Sequence, residues 1–174
     1  MVIRQEKPSD YEEVYQLVKT SFQAVCPDGT EPDEQDYLNK LREKDVFIPA
    51  LSLVAEHNNG TLVGQIVLYK TIVSTPQGEQ TELLLSPLCV HPDYVRRGIA
   101  RQMIEKAMGI AKEMGFQAVF LCGEPEIYGR MGFVPSYRYG IFHKEDASKS
   151  ADWSMVRELY RGALDGVSGV VDTI

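Results

Sequence analysis

Cysteine is scarce in this 174-residue chain: Cys26, Cys89 and Cys122 lie far apart and form no C-x-x-C pair. An odd, scattered set excludes a disulfide framework and a zinc ribbon. Long apolar runs are missing as well. No stretch approaches the about 18 consecutive apolar residues of a membrane span, and the N-terminal M-V-I-R-Q-E-K lacks the apolar core of a secretory signal. The expectation is a cytoplasmic protein with no membrane association. Basic residues are the minority, 18 against 25 acidic, for a formal net charge of −7 and a pI near 5.0. That balance argues against wholesale nucleic-acid binding and weakly favours cationic small molecules as partners. Internal repeats and low-complexity stretches are absent.

Against these absences stands a hydrophobic fraction of 44%, enough for one soluble domain over residues 1–174 with a single core. Cys89 and Cys122 sit inside apolar runs and read as buried packing thiols. Residues 2–5 read as a first strand. Ser9 with Glu12 forms a capping-box signature, and Val14, Leu17, Val18, Phe22 and Val25 then recur at helical spacing, which predicts a helix over about residues 10–25. A more polar helix is expected at 34–43. Two β-branched runs, 51–56 and 61–69, flank Asn58, Asn59 and Gly60 and read as a hairpin. A turn at 75–78 leads to the run 83–90, where Pro87 cannot donate to a ladder, so a bulge or splay is expected. From Ile99, Met103, Ala107, Ile110 and Met114 form an apolar stripe that ends at Gly115. Residues 118–122 read as a buried strand parallel to the one before the helix. A short helix at 124–131, a strand starting at 133 and a last strand at 153–159 complete the pattern, with 144–152 as a surface loop.

The most informative segment is C-V-H-P-D-Y-V-R-R-G-I-A-R, residues 89–101. An apolar strand runs into a basic, glycine-containing turn that opens an amphipathic helix. The first amides of a helix lack internal partners and carry the positive end of its dipole, so an anion is favoured there. Gly98 has no Cβ to hold a diphosphate away from the main chain. Arg96, Arg97 and Arg101 add local positive charge to an acidic chain. The alternative is a solvated turn that only starts a helix.

Residues 83–134 resemble the core of the GNAT superfamily of acyl-CoA-dependent N-acetyltransferases, and the order β-α-α-β-β-β-α-β-α-β-β is similar to that fold. The segment G-A-L-D-G-V-S-G, residues 162–169, resembles the YhbS-like bacterial type. The resemblance implies an α/β (α+β) single-domain fold: a central mixed, mostly antiparallel twisted sheet of about six to seven strands, about four flanking helices, and a splay between the fourth and fifth strands. The family's Q/R-x-x-G-x-G/A pattern falls on Val95, Arg96, Arg97, Gly98, Ile99 and Ala100. Val95 departs from it and contributes through its backbone only. Carried over, the resemblance implies that the main chain of Leu88, Cys89 and Val90 pairs with the pantetheine arm of acetyl-CoA. The amides from Arg96 to Arg101 would cradle its diphosphate. The Arg96 and Arg97 side chains either reach the ribose phosphate or face solvent.

The segment 124–133 resembles the family's Y-x-x-x-G-F, which makes Tyr128 the expected acid for the leaving thiolate. The alternative is a ring that only packs. The implied reaction is acetyl transfer from acetyl-CoA to a primary amine by direct attack in a ternary complex. A base carboxylate is missing from residues 84–88. Glu82, Glu56, Glu124 and Glu126 are candidates, each read first as a surface carboxylate, and His91 is read as structural. A non-catalytic acyl-CoA sensor or interaction module is the second reading. A mononucleotide site is disfavoured by the preceding hairpins and by the lack of G-x-G-x-x-G or G-x-x-x-x-G-K-[ST]. Polyamines, amino sugars, lysine side chains and protein N-termini are all compatible acceptors. Pairing of relatives through C-terminal strands implies a homodimer.

Overall fold

The computed structural model describes residues 1–173. In chain order its regular elements are β1 (Val2–Gln5), α1 (Tyr11–Gln23), α2 (Glu34–Arg42), β2 (Ser52–Glu56), β3 (Leu62–Thr75), β4 (Gly78–Val90), α3 (Ile99–Glu113), β5 (Ala118–Cys122), α4 (Pro125–Tyr128), β6 (Val134–Pro135), β7 (Ile141–His143), β8 (Ser154–Glu158) and β9 (Gly169–Asp172). The chain forms two compact units, one of Met1–Leu68 with Ser86–Ile110 and one of Tyr69–Leu85 with the residues from Ala111 onward.

In the first unit, β1, β2 and the start of β3 form an antiparallel ladder, with Ile3 opposite Ala55 and Val54 opposite Gln65. The end of β4 follows β3, tied by the His91 N–H donating to the Val63 carbonyl at 2.9 Å. α1 buries Val14, Leu17 and Val18, and α2 buries Leu38 and Leu41, the i, i+3, i+4 face that the sequence shows. Each such side chain stabilises the fold by about 1.5–3 kcal/mol. The buried face of α3 runs through Ile99, Met103, Ile104, Ala107 and Met108. It is therefore rotated from the expected stripe, and Met114 is 47% exposed.

The start of α1 also differs from expectation. Ser9 belongs to a 3-10 turn, Pro8–Asp10, and α1 begins at Tyr11 with no side-chain cap. The Asp10 carboxylate instead accepts the Lys7 N–H at 2.7 Å and N–H bonds from the two terminal Arg4 guanidinium nitrogens at 2.7 and 3.0 Å. A bidentate partner outcompetes a cap here because it carries charge on both sides. Nearby, buried Glu6 accepts from Arg42 and from the Ser52 hydroxyl.

In the second unit, β4 lies parallel to β5 through Leu83 opposite Val119 and Leu84 opposite Phe120. The two-pair ladder fits the splay that Pro87 implied, and the Ser86-Pro87 peptide is cis. β8 pairs antiparallel with β5 and β6, β9 pairs antiparallel with β3, and β7 pairs parallel with β9. The sheet is thus mixed and mostly antiparallel, with nine strands among the described residues. The strands beyond six or seven are short. β7 and β9 were not among the expected strands; β7 precedes the strand that the sequence made the last, and β9 follows it. Phe120, Phe133, Leu121 and Val156 fill this unit's core. Among the described residues no helix is long and apolar enough to cross a membrane.

Candidate active site

The cofactor residues expected from the sequence all lie in the first unit and follow one another along a continuous path. From Ser86 to Val90 burial alternates: Pro87 and Cys89 are buried, while Leu88 and Val90 on the opposite face are half-buried. His91 ends the strand, and its Nδ1 accepts the Asp93 N–H at 3.2 Å, capping a 3-10 turn over Pro92–Tyr94. That is the structural role read for this histidine. Val95 is extended and exposed, so only its backbone shapes the turn.

Two left-handed residues then bend the chain into the helix, Arg96 at φ 61° and Gly98 at φ 78°. Left-handed backbone costs a non-glycine residue about 1–2 kcal/mol, which glycine avoids at position 98. A Cβ added there would meet nothing nearer than Gln102 Nε2 at 3.9 Å. The space over Gly98 is open, and φ rather than crowding demands the glycine. The Gln102 N–H bonds the Gly98 carbonyl at 3.1 Å, so the amides of Ile99 and Ala100 head α3 ahead of its first intrahelical bond. Arg96 and Arg101 are exposed. Exposed Arg97 donates to the Asp93 carbonyl at 3.0 Å and lies 5.0 Å from the Tyr94 ring centroid, which braces the turn from its outer side.

Beside this path, Cys89 faces α1. Its thiol meets the Ser21 hydroxyl, and burial pushes its pKa up to about 12. It is an inert packing thiol, as expected. Ser21 and Phe22 of α1 and Val25 just beyond it line a cavity of about 180 Å³ together with Leu88, Cys89 and Val90. None of these three residues, Ser21, Phe22 and Val25, stood among the site candidates. The sequence carried no signal for them, since Val25 reads as part of the apolar helix face and only the structure shows it 76% exposed.

Tyr128 lies in the second unit, on α4. Its backbone is fixed by bonds to Glu124 and from Phe133, at 3.0 and 3.2 Å. Its ring meets Phe133 edge-on at 5.9 Å. Gly123 makes room for the ring, since a Cβ there would fall 2.5 Å from Tyr128 Cε2. Burial raises the phenol above its ordinary pKa, which keeps it protonated at neutral pH. The Arg157 guanidinium donates to the Met131 carbonyl at 3.0 Å, holding the turn that follows.

The candidate bases separate clearly. Glu124 and Glu126 are exposed, and Glu56 pairs with Arg4 at 2.6 Å. Glu82 is a correction: it is 3% exposed rather than a surface carboxylate. One of its oxygens accepts the N–H groups of Gln117 and Ala118 at 3.0 and 3.1 Å, pinning the start of β5. Burial raises its pKa, and the two N–H donors work against that rise. Cys122 is a second correction. It is exposed, because it stands at the end of β5, and its sulfur lies 3.5 Å from the Thr173 hydroxyl.

The family profile described as acetyltransferase (GNAT) domain matches residues 2–136. The chain is 31% identical to the uncharacterized N-acetyltransferase YhbS of Escherichia coli strain K12 over 173 residues, 99% of this chain and 95% of that protein. In structure it is similar to the Escherichia coli YhbS crystallised in complex with CoA, with a TM-score of 0.84 at 26% identity, covering 99% of this chain and 89% of that one. A GNAT family acetyltransferase from Brucella melitensis, crystallised with acetyl-CoA, shares the fold with a TM-score of 0.75 at 23% identity, covering 99% and 95%. By its sequence and its fold, the chain belongs to the GNAT acetyltransferase family.

Proposed function

We propose that this protein transfers the acetyl group of acetyl-CoA to a primary amine by direct attack in a ternary complex. The observation that carries the reading is the turn at residues 95–100. Left-handed Arg96 and Gly98 aim it into α3, the space over Gly98 is open, and the amides that head the helix suit an anion. The similar Escherichia coli protein was crystallised with CoA. The backbone of Leu88, Cys89 and Val90 holds the pantetheine arm, and the amides from Arg96 to Arg101 hold the diphosphate.

An alkylamine with a pKa of about 10.4 is neutral about once in several thousand molecules at pH 7, a shortage of roughly 4–5 kcal/mol. Removal of the ammonium proton by a base or by desolvation of the amine precedes attack. The amine nitrogen then bonds the acyl carbon, the C–S bond breaks, the Tyr128 phenol gives its proton to the departing sulfur, and the proton shed by the new amide nitrogen passes through solvent to restore the phenol. The half-buried phenol of Tyr128, whose pKa burial raises, supports that role.

The second reading, a non-catalytic acyl-CoA sensor, draws on the lack of a carboxylate at residues 83–90. Titration calorimetry with acetyl-CoA, against adenosine diphosphate as competitor, and an amine screen followed by CoA release test both readings. Selective binding with amine-dependent release supports transfer. Binding with no release supports the sensor, and no binding by folded protein overturns both.

A further inference from the structure

The end of α1 keeps apolar side chains where the helix core no longer covers them. Val25 is 76% exposed and Phe22 is half-buried, although both continue the side of the helix that buries Val14, Leu17 and Val18. The chain stays tied to the helix there, since the Val25 and Cys26 N–H groups donate to the Phe22 carbonyl at 3.0 and 2.9 Å. With Ser21, these two residues line the cavity of about 180 Å³ whose remaining wall is Leu88, Cys89 and Val90 at the end of β4.

The cavity follows the main chain of that strand. Cys89 is turned toward α1, where its thiol meets the Ser21 hydroxyl, and the alternation of a strand sends Leu88 and Val90 to the opposite face. A space touched by all three therefore runs beside the backbone. β3 holds one edge of this stretch, through the His91 N–H on the Val63 carbonyl. By the same alternation the N–H and C=O groups of Leu88 and Val90 point to the other edge. The ladder of β4 with β5 takes in Leu83 and Leu84 alone, so among the described residues no strand occupies that edge at 88–90. Exposed Val25 brings the cavity to the surface, which gives a ligand its entry.

The lining sets the chemistry of the occupant. None of the lining residues carries a charge, and the hydroxyl of Ser21 donates to the Leu17 carbonyl at 2.7 Å within the helix. A phosphate or an ammonium would lose hydration there without compensation. An apolar cavity of about 150 Å³ holds a benzene ring, so this one takes about six carbon-sized atoms. An acyl-CoA carries a group of that kind: the branched dimethyl segment of its pantetheine arm, flanked by amides that suit an open strand edge. Free adenine nucleotides share the diphosphate and lack the segment.

We propose that Phe22 and Val25 form an apolar clamp that packs on the dimethyl segment of the pantetheine arm from the α1 side, while the main chain of Leu88 and Val90 pairs with the arm's amides. The clamp selects acyl-CoA over nucleotides that offer only a diphosphate. The proposal rests on the acetyl-transfer reading of the β4 edge. Both residues position the cofactor and take no part in bond making.

Titration calorimetry separates the arm from the nucleotide. Val25→Ser is expected to bind CoA at least about threefold more weakly than wild type, and Val25→Ser combined with Phe22→Ser at least about tenfold. Adenosine diphosphate, which lacks the arm, should bind both variants within about twofold of wild type. The heat-capacity change of CoA binding should become less negative in both, because less apolar surface is buried. Val25 is exposed, so Val25→Ser tests the clamp without disturbing the core.

Unchanged CoA affinity in the double variant would overturn the clamp and leave acetyl transfer standing. A raised KM for the amine alone would assign the cavity to the acceptor, and weaker binding of acetyl-CoA with CoA unaffected would assign it to the acyl group; either result overturns the proposal. Equal losses for CoA and adenosine diphosphate would place the damage at the diphosphate turn and overturn it as well. A wild type that binds neither CoA nor acetyl-CoA would overturn the cofactor reading together with the clamp.

Discussion

Glu82 offers a sharp separation between a catalytic and a structural carboxylate. One of its oxygens accepts two backbone N–H groups at the start of β5, and the Ala118 amide that it holds belongs to a fully buried residue. In Glu82→Ala both donors lose their acceptor. Half-buried Gln117 recovers part of the loss from water, while the Ala118 N–H cannot. With about 1–3 kcal/mol per abandoned buried donor, the expected destabilisation is about 2–3 kcal/mol. In a chain of this size that lowers Tm by roughly 4–12 °C. Glu82→Gln retains an oxygen that accepts both donors, so its turnover should stay within about twofold of wild type.

The pH dependence has a definite sign. Burial raises the Glu82 pKa, so the folded state holds a proton that the unfolded chain has released. The stabilisation from that proton is complete below the ordinary glutamate value of about 4.3 and is lost as pH rises through the folded-state pKa. Wild type should therefore lose stability relative to Glu82→Gln as pH climbs through that window. Urea denaturation across pH, with circular dichroism, measures both effects. An unchanged Tm in Glu82→Ala, or a difference that moves the other way with pH, would refute the pin. Loss of turnover in Glu82→Gln at unchanged cofactor affinity would restore Glu82 as a base.

Tyr128→Phe should slow CoA release at least about tenfold with acetyl-CoA affinity unchanged by calorimetry, because only the proton donor is lost; undiminished turnover would remove the phenol from the acid role. Gly98→Trp forces an indole over the turn and a bulky residue into φ 78°, and it should abolish measurable acetyl-CoA binding while circular dichroism stays native; wild-type affinity would remove the turn from the cofactor site. Asp10, held by Arg4 and the Lys7 amide, has its pKa lowered chiefly by the Arg4 hydrogen bond. Its contribution, about 1–2 kcal/mol for charge-assisted bonds, is complete above the ordinary aspartate value of about 3.9 and is lost as pH falls through the folded-state pKa. The Tm difference between wild type and Asp10→Asn should therefore hold steady above about pH 5 and shrink on acidification.

Periodic segments were legible from the chain itself. α1 was expected over about residues 10–25 and runs Tyr11–Gln23, and β5 coincides with its apolar run. Such patterns survive because each residue's burial depends on its own position in a repeat of 3.6 or 2. β7 and β9, of three and four residues, are too short to show a period, and they form only because a partner from a distant stretch of chain supplies the hydrogen bonds. Ser9 carried a local capping signal that lost to Arg4, whose claim on Asp10 is set by folding.

The site divides along the same line. The turn from Val95 to Ala100 could be read directly because a left-handed glycine and the head of a helix are local events in consecutive residues. The family resemblance reached Tyr128 in the same way, through a contiguous motif. Glu82, Ser21, Phe22 and Val25 carried no such mark. A glutamate that pins a strand 35 residues away, or an apolar residue left exposed beside a strand, is defined by what surrounds it. Hydrophobic periodicity and local backbone demands belong to the sequence by itself, whereas burial and the satisfaction of each polar atom are properties of neighbours that only the tertiary structure brings together.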